Sequence, residues 1–222
     1  MRAAAPIAAI ESIRNLLRND STPIPVIDFG AGSQGANRSV SDIAQKALKR
    51  PKHARALHAL CEHLQANLVL ELGTSLGITT AYLASTGARI FTLEGNPHIA
   101  ERATAIWQEL NLDGIDVHIG PFDETLGQRI PDWTENQVTF DLIFIDGNHR
   151  GAAMLAYINL LQPLLKPTGA IVCDDIHWSE DMERAWKQIV QSSDWKVKVD
   201  FYEWGLLSNH PDLSNEIKSI LF

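Results

Sequence analysis

Long apolar runs are missing from this sequence. None approaches the ~18 residues that a membrane-spanning helix requires, so no membrane partner is expected. Cysteine is nearly absent. Cys61 and Cys173 lie far apart, each inside an apolar pattern, which predicts reduced thiols in a cytoplasmic protein and argues against a disulfide framework. No internal repeat or low-complexity segment is present. Positive charge is in deficit: 19 lysines and arginines against 27 acidic residues leave a net charge of −8. Binding along a phosphate backbone needs a basic surface, so nucleic acid is not an expected partner. The apolar stretch 3–10 runs directly into Glu11 and Arg14 without a cleavage site, and reads as the start of an amphipathic helix, not a signal peptide.

What is present is globular composition, 45% hydrophobic and 21% charged over 222 residues, enough for one α/β domain with an N-terminal extension. Arg38, Lys46, Lys49, Arg50, Lys52 and Arg55 crowd one short stretch. They predict a solvated helix face, with a docking site for an anionic substrate as the alternative. Residues 1–66 read as helices with a loop around 29–38 and strand-like alternation only at 24–29. Such an extension suits a lid, a dimer surface that would make a homodimer, or packing for the back of a sheet.

From residue 67 onward, short apolar runs alternate with helical patterns. Strands are predicted at 68–72, 89–93, 116–119, 141–145, 170–173 and 197–201. The near-continuous apolarity of the first, fourth and fifth runs fits strands covered on both faces. Asn96-Pro97 is a helix start, followed by Ile99, Ala103, Ile106, Trp107 and Leu110 at helical spacing. Ser179 caps a helix whose buried stripe is Met182, Ala185, Trp186 and Ile189. Alternation of this kind makes a doubly wound, mostly parallel sheet. The stretch 195–208 differs: two strands follow one another with no helix between, which requires an antiparallel pair. The expected division is an extension over 1–66 and an α/β domain over 67–222.

Two glycine-rich loops compete for a nucleotide. FGAGSQG carries Gly30, Gly32 and Gly35 in dinucleotide spacing, but ~20 residues on, where an acidic strand end should hold the ribose, the chain is basic and helical. It reads as a turn or a flap. ELGTSLG, from Glu71 to Gly77, follows an apolar strand and opens a helix. Gly73 and Gly77 allow close backbone approach, and Thr74 and Ser75 lie between them. The next strand ends in Glu94, whose carboxylate is placed to accept both ribose hydroxyls.

VLELGTSLGITTAYLA resembles the first motif of the class I S-adenosylmethionine-dependent methyltransferases, and TLEGNP resembles their second. DLIFIDGNH and IVCDDIHW are similar to the fourth and fifth motifs of metal-dependent O-methyltransferases, the group with the catechol, caffeoyl-CoA and bacterial sugar and macrolide enzymes. The likeness spans about residues 67–208, with the motifs in order. It implies a Rossmann-like fold and S-adenosylmethionine as cofactor, bound by Glu71, Gly73, Thr74, Ser75, Gly77, Glu94 and Asp146. Asp123 stands where the family contacts adenine, and Phe122 either packs on that ring or belongs to the core.

Asp146 ends the fourth strand, and Asp174 and Asp175 end the fifth. At neighbouring carboxyl ends all three should face one crevice, where like charges repel unless neutralised. A hard cation, Mg²⁺ foremost, would resolve that conflict, and in the resembling families the matching positions hold a divalent metal. His149 matches the place of a lysine in the catechol and caffeoyl-CoA enzymes and suits proton removal near neutral pH. Asn148 departs from the acidic base of some sugar methyltransferases. Trp178 matches a substrate-lining tryptophan, with His177 beside it. The expected reaction is Mg²⁺-dependent O-methylation of a small hydroxylated acceptor, be it a sugar, polyketide, phenol or small acid. The competing readings are a nicotinamide-dependent oxidoreductase and a non-catalytic cofactor-binding protein.

Overall fold

In a computed structural model, residues 6–25 and 38–214 are described together with the backbone of 216–219. The apolar runs form the strands of one sheet: β1 (Leu68–Leu72), β2 (Arg89–Glu94), β3 (Ile115–Ile119), β4 (Phe140–Ile145) and β5 (Leu165–Asp174), then β6 (Val197–Asp200), β7 (Trp204–Ser208) and β8 (Glu216–Ser219). Their order is β3-β2-β1-β4-β5-β7-β6-β8. Neighbouring pairs among β1 to β5 are parallel, and β7 is antiparallel to both β5 and β6. This is the doubly wound sheet with its terminal antiparallel pair. β5 begins earlier than expected because Leu165 already pairs with Phe140 before a register shift brings Ala170 opposite Leu142. β8 is a strand the sequence did not announce, added parallel to β6 at the edge.

Helix starts follow the local chemistry. In α5 (Pro97–Glu109) the Asn96 side chain accepts from the His98 amide at 3.0 Å. In α8 (Glu180–Gln191) Ser179 accepts from the Met182 amide at 3.2 Å, and Met182, Ala185, Trp186 and Ile189 are buried as the spacing requires. The other helices are α1 (Ile7–Leu17), α2 (Val40–Lys46), α3 (Pro51–His63), α4 (Ile78–Ala84), α6 (Phe122–Glu135) and α7 (Gly151–Leu161).

The period-2 alternation of the strands sorts the two faces. Leu70, Leu72, Ile143, Ile145, Ile171 and Cys173 pack under α6, α7 and α8. Val69, Leu142, Phe144 and Val172 pack with Leu57 and Cys61 of α3 and with Leu83 and Ala84 of α4. The extension thus covers the back of the sheet. Its α1 and α2 bury Ile10, Ile13, Leu17, Val40 and Ile43 against Leu76, Ile78, Tyr82, Ile106 and Trp107. Pro23–Ile24 pairs with Arg38–Ser39, and the Gly30, Gly32 and Gly35 motif lies outside the described residues. Both cysteines are free and buried, and burial pushes the Cys173 thiol up to about 12, which makes it a poor nucleophile. Among the described residues no helix is long and apolar enough to cross a membrane.

Candidate active site

The site gathers where the strand order reverses, between β1 and β4, at the carboxyl ends of the strands. β1 runs into Gly73, whose φ of +106° is open to glycine but strained for other residues. The amides of Gly73 and Thr74 both donate to the Leu93 carbonyl, at 3.0 and 3.1 Å. The Asp146 amide donates to Leu72 at 2.8 Å. The loop is therefore stitched to β2 on one side and β4 on the other. At its far end the Trp107 indole donates to the Gly77 carbonyl at 2.8 Å.

Glu71 is completely buried beneath this loop. One carboxyl oxygen accepts from Thr80 at 2.5 Å and from Thr92 at 2.7 Å, and the Thr92 oxygen lies 2.6 Å from that of Thr74. Its other oxygen and the Ser75 hydroxyl are buried without a protein partner. Burial pushes the Glu71 carboxyl up to about 8, against the two threonine bonds that favour the charged form. The folded state then holds a proton that the unfolded chain releases near the ordinary 4.5. Stability from this group is full below that value, is lost as pH rises toward about 8, and levels off above it. Glu71→Gln keeps an acceptor for both threonines without the charge. Its unfolding free energy should match the wild type in acid and exceed it increasingly up to about pH 8, by an amount on the order of a few kcal/mol, with the melting temperature rising in step. Melting curves that stay parallel across this range would refute the assignment.

Glu94, at the end of β2, is held by two amides: Ser75 donates at 2.9 Å and Asn96 at 3.0 Å. Burial raises its carboxyl above the usual range, and these amide bonds partly offset the rise. Phe122 opens α6 and lies over Gly147, where a Cβ would come within 2.6 Å of the ring. It meets Tyr157 edge-on at 6.0 Å. Asp123 is exposed in the first turn of α6 and accepts from the Tyr157 hydroxyl at 3.0 Å, which in turn accepts from Asn148 at 3.0 Å.

The acidic residues are arranged differently from expectation. Asp146 and Asp174 do flank one crevice, but the Lys49 ammonium stands between them, 3.3 Å from Asp146 Oδ1 and in direct contact with Asp174 Oδ2. Asp175, in a left-handed conformation at φ +54°, turns its carboxylate toward His149, 3.6 Å from Nδ1. Among the described residues no three His, Cys, Asp or Glu side chains are grouped to hold a metal ion. The three carboxylates of Asp146, Asp174 and Asp175, expected to share one cation, are therefore not grouped around a single point in this arrangement. The repulsion that called for a cation is relieved by the protein's own ammonium. The reading of the basic run is corrected at the same position. Lys46, Arg50, Lys52 and Arg55 are exposed as a solvated face requires, whereas Lys49 is only 14% exposed and belongs to the site. Burial raises the Asp146 carboxyl, and Lys49 and then His149 pull it back down.

His149 is exposed, with its ring 6.4 Å from that of Trp178, which is itself 71% exposed. The loops after β4 and β5 thus meet over the crevice. His177 points elsewhere: its Nε2 lies 2.9 Å from Asp200, and its ring stacks on Tyr202 at 5.3 Å. Among the described residues, seven that are not glycine have positive φ. Gln65, Asn111 and Gln137 close helices, where this is ordinary. Ser75, Asn148, Asp175 and Tyr202 all lie in loops that follow strands at this end of the sheet or in the turn beside them, where strain accompanies function. Sequence reasoning missed Lys49 and the Asn148–Tyr157–Asp123 chain. Neither leaves a local signature, because each depends on side chains brought together from separate elements.

Residues 70–176 match the family described as a methyltransferase domain. The chain is similar in sequence to the protein-L-isoaspartate O-methyltransferase of Petrotoga mobilis, 35% identical over 86 residues, which are 39% of this chain and 37% of that protein. The chain spans between 32% and 60% of the length of the curated relatives it matches. Among solved structures it is similar to cofactor-bound Rv0187 from MTB, with a TM-score of 0.63 at 24% identity over 74% of this chain and 83% of that one. It is similar as well to the O-methyltransferase from Bacillus cereus in complex with SAH, with a TM-score of 0.65 at 20% identity over 90% and 89%. At these identities the structural likeness is one of fold. The matched segment contains both the stitched glycine loop and the acidic end of β2.

Proposed function

We propose that the chain is an S-adenosylmethionine-dependent methyltransferase acting on an oxygen of a small hydroxylated acceptor. The observation that carries this reading is the loop from Glu71 to Gly77. It leaves the second Glu71 oxygen and the Ser75 hydroxyl buried without protein partners, beside a Glu94 carboxylate fixed by two amides. Glu94 would hold the ribose hydroxyls, Asp123 and Phe122 the adenine, and Gly73 with Asp146 the methionine end. The cofactor would supply an electrophilic sulfonium methyl. The chain's part is to align the acceptor oxygen with it, to exclude water, and to take the hydroxyl proton. His149 is the proposed proton acceptor, since it is an exposed base above the crevice, with the Asp175 carboxylate 3.6 Å from its Nδ1. Trp178 borders the acceptor. His177, bound to Asp200, is proposed to set the crevice wall through Tyr202. Oxygen as the acceptor atom is in keeping with the O-methyltransferases among the similar proteins. A bound Mg²⁺ does not fit these residues as they are arranged, because Lys49 already spans Asp146 and Asp174.

S-Adenosylhomocysteine at a hundredfold excess over its Kd should stabilise the chain by about 2.7 kcal/mol, a rise of roughly 5–10 °C in melting temperature. Glu94→Ala removes both proposed ribose contacts and should weaken that binding by roughly 30-fold. Its melting temperature without ligand serves as the control for folding. Stabilisation by NADH with no response to S-adenosylhomocysteine would transfer the chain to the oxidoreductases.

A further inference from the structure

We infer that Lys49 is the resident cation of this site, so that the crevice works without a divalent metal and the N-terminal extension supplies one of its charged groups. The inference rests on the methyltransferase reading only for the reaction served; the charge arrangement stands on the geometry alone. Asp146 and Asp174 are 15% and 4% exposed, and one ammonium touches both. Two such carboxylates side by side would be costly without a counter-charge.

Lys49 is not a surface side chain that has drifted inward. It lies between α2 and α3, and its carbonyl is gripped by the Arg14 guanidinium at 2.6 Å. Arg14 is 1% exposed on α1, and its Nε donates to Glu11 at 2.8 Å. Tyr82 of α4 donates to the same Glu11 oxygen at 2.7 Å. A buried chain from α4 through α1 thus fixes the backbone from which the lysine reaches the carboxylates. A small dication demands oxygens at about 2.0–2.1 Å in near-octahedral array. Here two of the three candidate ligands are committed to an ammonium, and the third faces His149. A metal would have to expel Lys49 and lose the compensation already built in.

The test is a Mn²⁺ titration of the full chain saturated with S-adenosylhomocysteine, reading the free-ion spin-resonance signal. Wild type should bind no Mn²⁺ more tightly than about 1 mM, and chelator should leave the ligand-induced melting shift unchanged. Lys49→Ala opens the carboxylates and should bind Mn²⁺ at least about tenfold more tightly than wild type. Lys49→Arg keeps the charge and should stay metal-free. Micromolar Mn²⁺ binding by wild type overturns the inference, as does a folded Lys49→Ala that binds no more than wild type. If Lys49→Ala does not fold, the wild-type and Lys49→Arg titrations still decide. Failure of the cofactor reading would show separately, as a missing melting shift with S-adenosylhomocysteine.

Discussion

Gly73→Ala is expected to abolish cofactor binding and to cost the fold about 4 kcal/mol or more, the sum of backbone strain and overpacking. The residue sits at φ +106°, and a Cβ built there would lie 1.9 Å from the Asp146 carbonyl oxygen and 2.8 Å from its carbon. Both atoms are backbone, so no rotamer change relieves the clash. β1 and β4 would have to part at their carboxyl ends. That would break the bond from the Asp146 amide to Leu72 and disturb the two bonds into Leu93. Gly87→Ala is the matched control: its φ is +92°, but nothing lies within 4 Å of the added carbon. It should cost only about 1 kcal/mol. Thermal melting of the two variants, with and without S-adenosylhomocysteine, separates the steric demand from the backbone one. Equal losses at the two positions would show that the contact with Asp146 is not what requires glycine.

Arg14→Met should destabilise the chain by about 3 kcal/mol, the lower end for removing one partner of a buried ion pair. Glu11, the other partner, retains 21% exposure, which screens part of the loss. The substitution keeps most of the aliphatic stem in the cluster of α1, α2 and α4 but removes the donors to Glu11 and to the Lys49 carbonyl. For a chain of this size the melting temperature should fall by roughly 6–12 °C. Glu11→Gln preserves an acceptor for Tyr82 and should cost less. A melting temperature within about 2 °C of wild type for Arg14→Met, well short of the expected fall, would mean that the extension is held by its apolar contacts alone.

Much of this architecture could be read from residue order. The runs around Leu70, Ile143 and Ile171 are apolar because both sheet faces are covered, and Ser179 and Asn96-Pro97 mark helix starts by local chemistry. The Glu71–Gly77 loop and Glu94 stood out because strand, loop, helix and acid follow in sequence. α6 was harder to see, since Gly127 and Pro131 interrupt its helical pattern. β8 is only four residues long at the sheet edge. Lys49 was beyond reach for a different reason. Pattern averages a residue with its neighbours, and its neighbours Lys46, Arg50 and Lys52 are solvated cations. What sets it apart is the guanidinium of Arg14 behind it and two carboxylates far along the chain. His177 shows the converse: adjacency to Trp178 suggested a shared role, but a hydrogen bond to Asp200 draws it to the turn between β6 and β7.

The distribution of indoles gives the molecule an optical handle. Trp107, Trp133, Trp186, Trp195 and Trp204 are all at most 8% exposed, while Trp178 stands in solvent above the crevice. The buried five report on the core. Emission from Trp178 falls at the red edge of the protein's fluorescence and is the fraction open to a collisional quencher such as acrylamide. An acceptor settling beside His149, as proposed, would shield that single fluorophore, so occupancy of the crevice could be followed by light without knowing the acceptor's identity or observing turnover.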